Sequence, residues 1–123
     1  MTISEQNKEN GRHYGYEAQS NQLVEECAEL IQAVNKYRRA RGRGQVLSPL
    51  LEPSQEDKDR EQVALDNLVE EIADVEIMLE QVKDLLHISE EDIQAIKLYK
   101  VNRTRERRKY NRNYRNKAGF KGL

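Results

Sequence analysis

From Leu65 to Leu86, apolar residues return every three or four positions, through Leu68, Ile72, Val75, Leu79 and Val82. That period places them on one stripe of a helix, and a stripe this long has to be covered by another element. A shorter series with the same period runs through Leu23, Cys27, Leu30, Val34 and Tyr37. No stretch alternates with period two for long enough to make a strand. The sequence therefore predicts an all-α fold in which these two helices pair.

Material for a closed core is scarce. Charged residues make up 35% of the 123-residue chain, and mean hydropathy is -0.98. One domain at most is expected, as a helical bundle completed by oligomerisation into a dimer or tetramer. The lone Cys27 excludes an internal disulfide framework. The opening MTISEQNKENGR lacks the apolar run of a signal peptide or membrane anchor, so a cytoplasmic protein without a membrane partner is expected.

Residues 1–13 are polar and aperiodic and read as a flexible N-terminal arm, ahead of a helical domain over residues 14–109. Within that domain, residues 41–60 read as an irregular linker or insertion, because Gly42, Gly44, Pro49 and Pro53 are poor helix residues. The helical pattern is expected to resume near Glu61. Ser89, followed by Glu90, Glu91 and Asp92, reads as an N-cap with acid in the first turn of a third helix. Past Lys109, residues 110–123 lose periodicity and read as a loose basic tail.

The heptapeptide LVEECAE beginning at Leu23 returns as LVEEIAD at Leu68. With Glu26 at zero and a turn of about 100° per residue, the apolar stripe falls at roughly 40–100° and Glu29 at roughly 300°. Glu71 and Asp74 reproduce those phases in the second copy. Antiparallel pairing through matching stripes would bring Glu26, Glu29, Glu71 and Asp74 together along one groove. Gln22 lies on the same edge, one turn before Glu26. An acid pair on one helix is ordinarily a solvated flank; the matched phase of the two copies is what sets these apart.

Four gathered carboxylates repel one another unless a cation joins them. Oxygen ligands without a convergent His or Cys favour Mg²⁺, with Mn²⁺ as a substitute, over Zn²⁺. Because Mg²⁺ shares its shell with water and substrate phosphate, the chemistry expected is metal-assisted attack of water on a phosphate ester or anhydride.

Glu25-Glu26-Cys27-Ala28-Glu29 and Glu71-Ile72-Ala73-Asp74 resemble the EExxE and ExxD signature of the MazG-like, all-α nucleoside triphosphate pyrophosphohydrolases. The surrounding QLVEECAELIQAVNKYRR and EEIADVEIMLEQVKDLL, and the later IKLYKVNRTRER, are similar to that family as well. The likeness spans roughly Glu17 to Arg108. It implies hydrolysis of a (deoxy)nucleoside triphosphate to the monophosphate and pyrophosphate, plausible as clearance of unwanted nucleotides. Under this resemblance Glu26, Glu29, Glu71 and Asp74 are catalytic and hold Mg²⁺, while Lys100 and Arg103 contact phosphate. Lys97, one turn before Lys100, and Gln22 are further substrate-binding candidates. The long segment between the two motifs departs from compact members and leaves base selection open. Phosphoribosyl-ATP pyrophosphohydrolases, which share the general helical plan, are a second enzymatic reading.

A different class of function comes from the C-terminal end. From Val101 to Leu123 nine Lys/Arg face one acid, a local +8 against -9 in the first hundred residues. Tyr110, Tyr114 and Phe120 interleave with these cations. That composition fits single-stranded nucleic acid or an acidic protein surface, so the alternative is a non-enzymatic helical module binding through its tail. The charge split slightly favours use of the tail on the chain's own acidic body or on a neighbouring subunit.

Overall fold

Two helices of 31 residues each, α2 (Tyr16–Val46) and α3 (Gln55–Leu85), carry the two apolar series. They are preceded by α1 (Ile3–Tyr14) and followed by α4 (Glu90–Lys117). The structure, a computed structural model, describes residues 1–46 and 52–117, excluding the side chains of 43–46. Among the described residues there is no strand, in agreement with the all-α expectation. None of these helices is long and apolar enough to cross a membrane. The chain divides into two units, Met1–His87 and Ile88–Leu123.

Within the first unit, α2 and α3 run antiparallel. Tyr37 donates to Glu61, the Glu26 carboxylate approaches Glu71 and Asp74, and Gln19 donates to Gln81, so positions on α2 fall as those on α3 rise. The seam buries Ala33, Val75 and Met78, and each of the two larger side chains contributes about 1.5–3 kcal/mol. On the 100° rotation these residues lie within roughly 40° of the Glu26 and Glu71 directions. The seam thus runs along the carboxylate edge, where small Ala33 permits close approach, and not through the middle of the apolar stripes. As a result Val34, Ile72 and Leu79 stay exposed, at 40, 42 and 44%. Their phases, roughly 80–100° from Glu26 and Glu71, fall on the same side of an antiparallel pair, so these three form one open apolar flank.

Residues 1–13, expected to be a flexible arm, instead form most of α1. Thr2 is its N-cap, with reciprocal 3.0 Å bonds between the Thr2 and Glu5 side chains and the partner backbone amides. A capping box gives two otherwise unsatisfied backbone donors side-chain acceptors. Gly15 alone separates α1 from α2, at φ 88°, a backbone conformation that L-residues adopt at a cost.

What holds α1 against α3 is polar. Gln81, only 4% exposed, donates to Asn7 Oδ1 and accepts from Gln19, both at 2.6 Å. Asn7 also donates to the Ile77 carbonyl and to Glu80, which accepts in addition from Ser4. Arg12 forks onto Asp84 at 3.0 and 2.8 Å, and this bond holds the Asp84 carboxyl below its usual range. Gly11 admits the close crossing, since a Cβ there would lie 3.0 Å from Gln81 Cβ and Cγ.

The linker is shorter than expected at both ends. α2 continues past Gly42 to Val46, because adding residues to an existing long helix needs only propagation, which offsets the roughly 1 kcal/mol disadvantage of a glycine. α3 begins at Gln55, several residues before Glu61, where Ser54 and Asp57 form a second capping box. Pro49 lies outside the described residues. In the second unit, Ser89 Oγ accepts from the Glu91 and Asp92 amides at 3.1 and 3.4 Å, the expected cap of α4. The tail expected to be loose from residue 110 continues as helix to Lys117; residues 118–123 lie outside the described set.

Replacing Gln81 by Leu leaves the Asn7 and Gln19 groups without their buried partner. The Gln81→Leu variant should lose about 1–3 kcal/mol of unfolding free energy in urea titration. Unchanged stability would show that α1 is not held by this network.

Candidate metal centre

Glu26 projects from the middle of α2, and Glu71 and Asp74 from the middle of α3. Each offers a carboxylate oxygen such that all three atoms lie within 4.8 Å of one another. An octahedral shell with bonds of about 2.1 Å spreads its oxygens at most about 4.2 Å apart, so a small rotation of these carboxylates closes the three onto one hard cation. The Oε2 atoms of Glu26 and Glu71 are buried and accept no hydrogen bond from any described group. Burying a carboxylate oxygen without a donor is unfavourable, and a cation is the partner that this donor set fits.

Of the four acids predicted from sequence, three make this cluster. Glu29 stands beside it, exposed, and holds its proton more tightly than an ordinary glutamate. A hydrogen bond shared with Glu26 is the largest cause, followed by repulsion from Glu26 and Glu71. Gln22, a substrate-binding candidate by sequence, donates from Nε2 to Glu26 Oε1 at 2.8 Å. That bond occupies Oε1 of Glu26 and restrains its carboxylate beside the cluster, a positioning role that i, i+4 spacing alone would have disclosed.

Glu25, which completes the first motif, is exposed, in keeping with its outward phase. The basic candidates Lys97, Lys100 and Arg103 are all exposed on α4, in the second unit. The Arg103 guanidinium lies 5.6 Å from the centroid of the Tyr99 ring, a cation–π contact.

Compared with protein-family models, with curated proteins and with solved structures, the chain matches none.

The raised proton affinity of Glu29 has a defined consequence for stability. The folded protein binds this proton more tightly than the unfolded chain, so the stability that Glu29 contributes without metal is present in full below the ordinary glutamate range, opposite in sign to the contribution of Asp84, which is lost as pH falls. The Glu29 contribution falls as pH rises through that range to the raised folded value. In EDTA the melting temperature should show this fall, and Glu29→Gln should flatten it. Glu71→Gln, which removes one of the repelling charges, should raise the metal-free melting temperature at neutral pH. It should also abolish the stabilisation by millimolar-scale Mg²⁺ that mass action gives the wild type. Identical melting curves for wild type and Glu71→Gln, with and without Mg²⁺, would remove these acids from any metal site.

Proposed function

We propose that this chain is a Mg²⁺-dependent nucleoside triphosphate pyrophosphohydrolase that converts (deoxy)nucleoside triphosphates to monophosphates and pyrophosphate. The observation that carries this reading is the convergence of Glu26, Glu71 and Asp74 with two buried oxygens lacking a donor. It is joined by the resemblance of the two acidic motifs to the MazG-like enzymes.

When bound, a divalent cation supplies positive charge to the phosphate oxygens as negative charge builds in the transition state. Glu26, Glu71 and Asp74 would hold it, with Gln22 fixing the Glu26 carboxylate. Glu29 is the general base, since its exposed carboxylate stands beside the cluster where a water can reach it. The oxygen of that water joins one phosphorus of the α–β bridge, the bridging P–O bond breaks, and the water's proton passes to Glu29. Pyrophosphate and monophosphate leave without a covalent enzyme intermediate. The phosphate-binding role of Lys97, Lys100 and Arg103 rests on the resemblance alone.

Self-association belongs to the same reading. The exposed flank of Val34 on α2 with Ile72 and Leu79 on α3 lies on one side of the pair, and in a chain this polar such a face calls for a cover. A second copy laid across it completes a four-helix core.

Two measurements test the proposal. Incubation with a panel of nucleoside triphosphates and Mg²⁺ should release monophosphate and pyrophosphate, read by phosphorus NMR. Asp74→Asn and Glu71→Gln should each lower the rate by more than about 100-fold. Wild-type turnover in either variant, or no turnover of any nucleotide, would overturn the assignment. Light scattering should find a dimer or larger, and Leu79→Glu should shift it toward monomer; a monomeric wild type would refute the proposed cover.

A further inference from the structure

We propose that α4 is a binding surface for single-stranded nucleic acid. Between Lys97 and Lys117 the helix carries ten Lys/Arg and a single acid, Glu106. Lys109 pairs with Glu106 at 3.3 Å. Among the described residues, Arg105, Arg107, Arg108, Arg112 and Arg115 take part in no ion pair, and no α4 residue is buried. Like charges at i, i+4, as in Arg108 and Arg112, disfavour the helix that carries them. A polyanion relieves that repulsion and releases its own counterions on binding.

The cations alone would suit any polyanion; the tyrosines narrow the choice. At 100° per residue, Tyr99, Arg103, Arg107, Tyr110 and Tyr114 fall within roughly 80° of one another. They form one stripe of flat side chains about 22 Å long, with Tyr110 71% and Tyr114 64% exposed. Tyr110 and Tyr114, one turn apart, with the guanidinium planes of Arg103 and Arg107 between them and Tyr99, offer stacking platforms to unpaired bases, and the surrounding arginines neutralise the strand's phosphates. A duplex keeps its base faces stacked and has none to offer. A lipid surface would want a broad aliphatic face, yet Thr104 to Lys117 contains no Leu, Ile, Val, Met or Phe. The inference uses no residue of the acidic cluster, and the variants that test it leave Lys97, Lys100 and Arg103 in place.

The test is fluorescence anisotropy of the full chain with a labelled 20-nucleotide single strand of mixed sequence, across a salt series. Binding should weaken with salt. The Arg108→Gln, Arg112→Gln, Arg115→Gln triple variant should reduce the slope of log K on log salt by about 2. Tyr110→Ala with Tyr114→Ala, which leaves charge unchanged, should weaken binding roughly fivefold or more. Glu71→Gln should bind like wild type, and far-UV circular dichroism should show helix gained on binding. Equal affinity for duplex and single strand, or an unaffected tyrosine variant, would overturn the stacking assignment. Binding to anionic vesicles but not to oligonucleotide would overturn it in favour of a lipid partner. Absence of binding accompanied by salt-sensitive self-association would place a second copy of the chain there instead.

Discussion

Mutual repulsion of carboxylates at the place where two helices touch is the constraint to which the first unit has to answer. Helix pairs ordinarily close over their most apolar residues. Here the closest approach of α2 and α3 runs through Ala33, Val75 and Met78 beside Glu26, Glu71 and Asp74, so the packing that stabilises the pair also concentrates its negative charge. Hydrophobic burial is modest, with few side chains fully withdrawn from water. The balance between packing and repulsion is correspondingly easy to tip, by a proton on Glu29, by a cation, or by a neutral glutamine.

The location of the seam also accounts for what lies on either side of it. Moving the contact toward the acids leaves one flank of each apolar stripe uncovered, which is why Val34 and Ile72 face outward from helices whose sequences look fully amphipathic. On the opposite flank Glu29 is exposed, giving small molecules access to the acids. An apolar back and an acidic front are thus two consequences of a single rotation of both helices about their axes.

The paired helices and the acid cluster were legible in the sequence because both rest on periodicity. Apolar spacing located α2 and α3, and the matched phase of LVEECAE and LVEEIAD put four acids on one edge before any coordinates. The rotation of the seam was not legible, since residues at 40° and at 100° from the acids are equally apolar and only packing against Ala33 separates them. α1 escaped notice for a related reason: its one buried residue is Gly11, and its attachment runs through Asn7, Gln19 and Gln81, which carry no hydrophobic signature. Thr2 with Glu5, and Ser54 with Asp57, were nonetheless capping signals at the true helix starts. The length of α4 was hidden because a helix without a buried face has no period to read.

Gln19 precedes Glu26 by two turns, and Gln81 follows Asp74 by nearly the same interval. The polar joint that α1 makes across α2 and α3 therefore grips the pair about 10 Å along from the acids. The Tyr37–Glu61 bond grips the same two helices about 16 Å along on the other side of the acids. Glu26 and Glu71 thus lie on a span fastened at both ends, and the distance between them can change only by as much as the helices bow between the two fastenings.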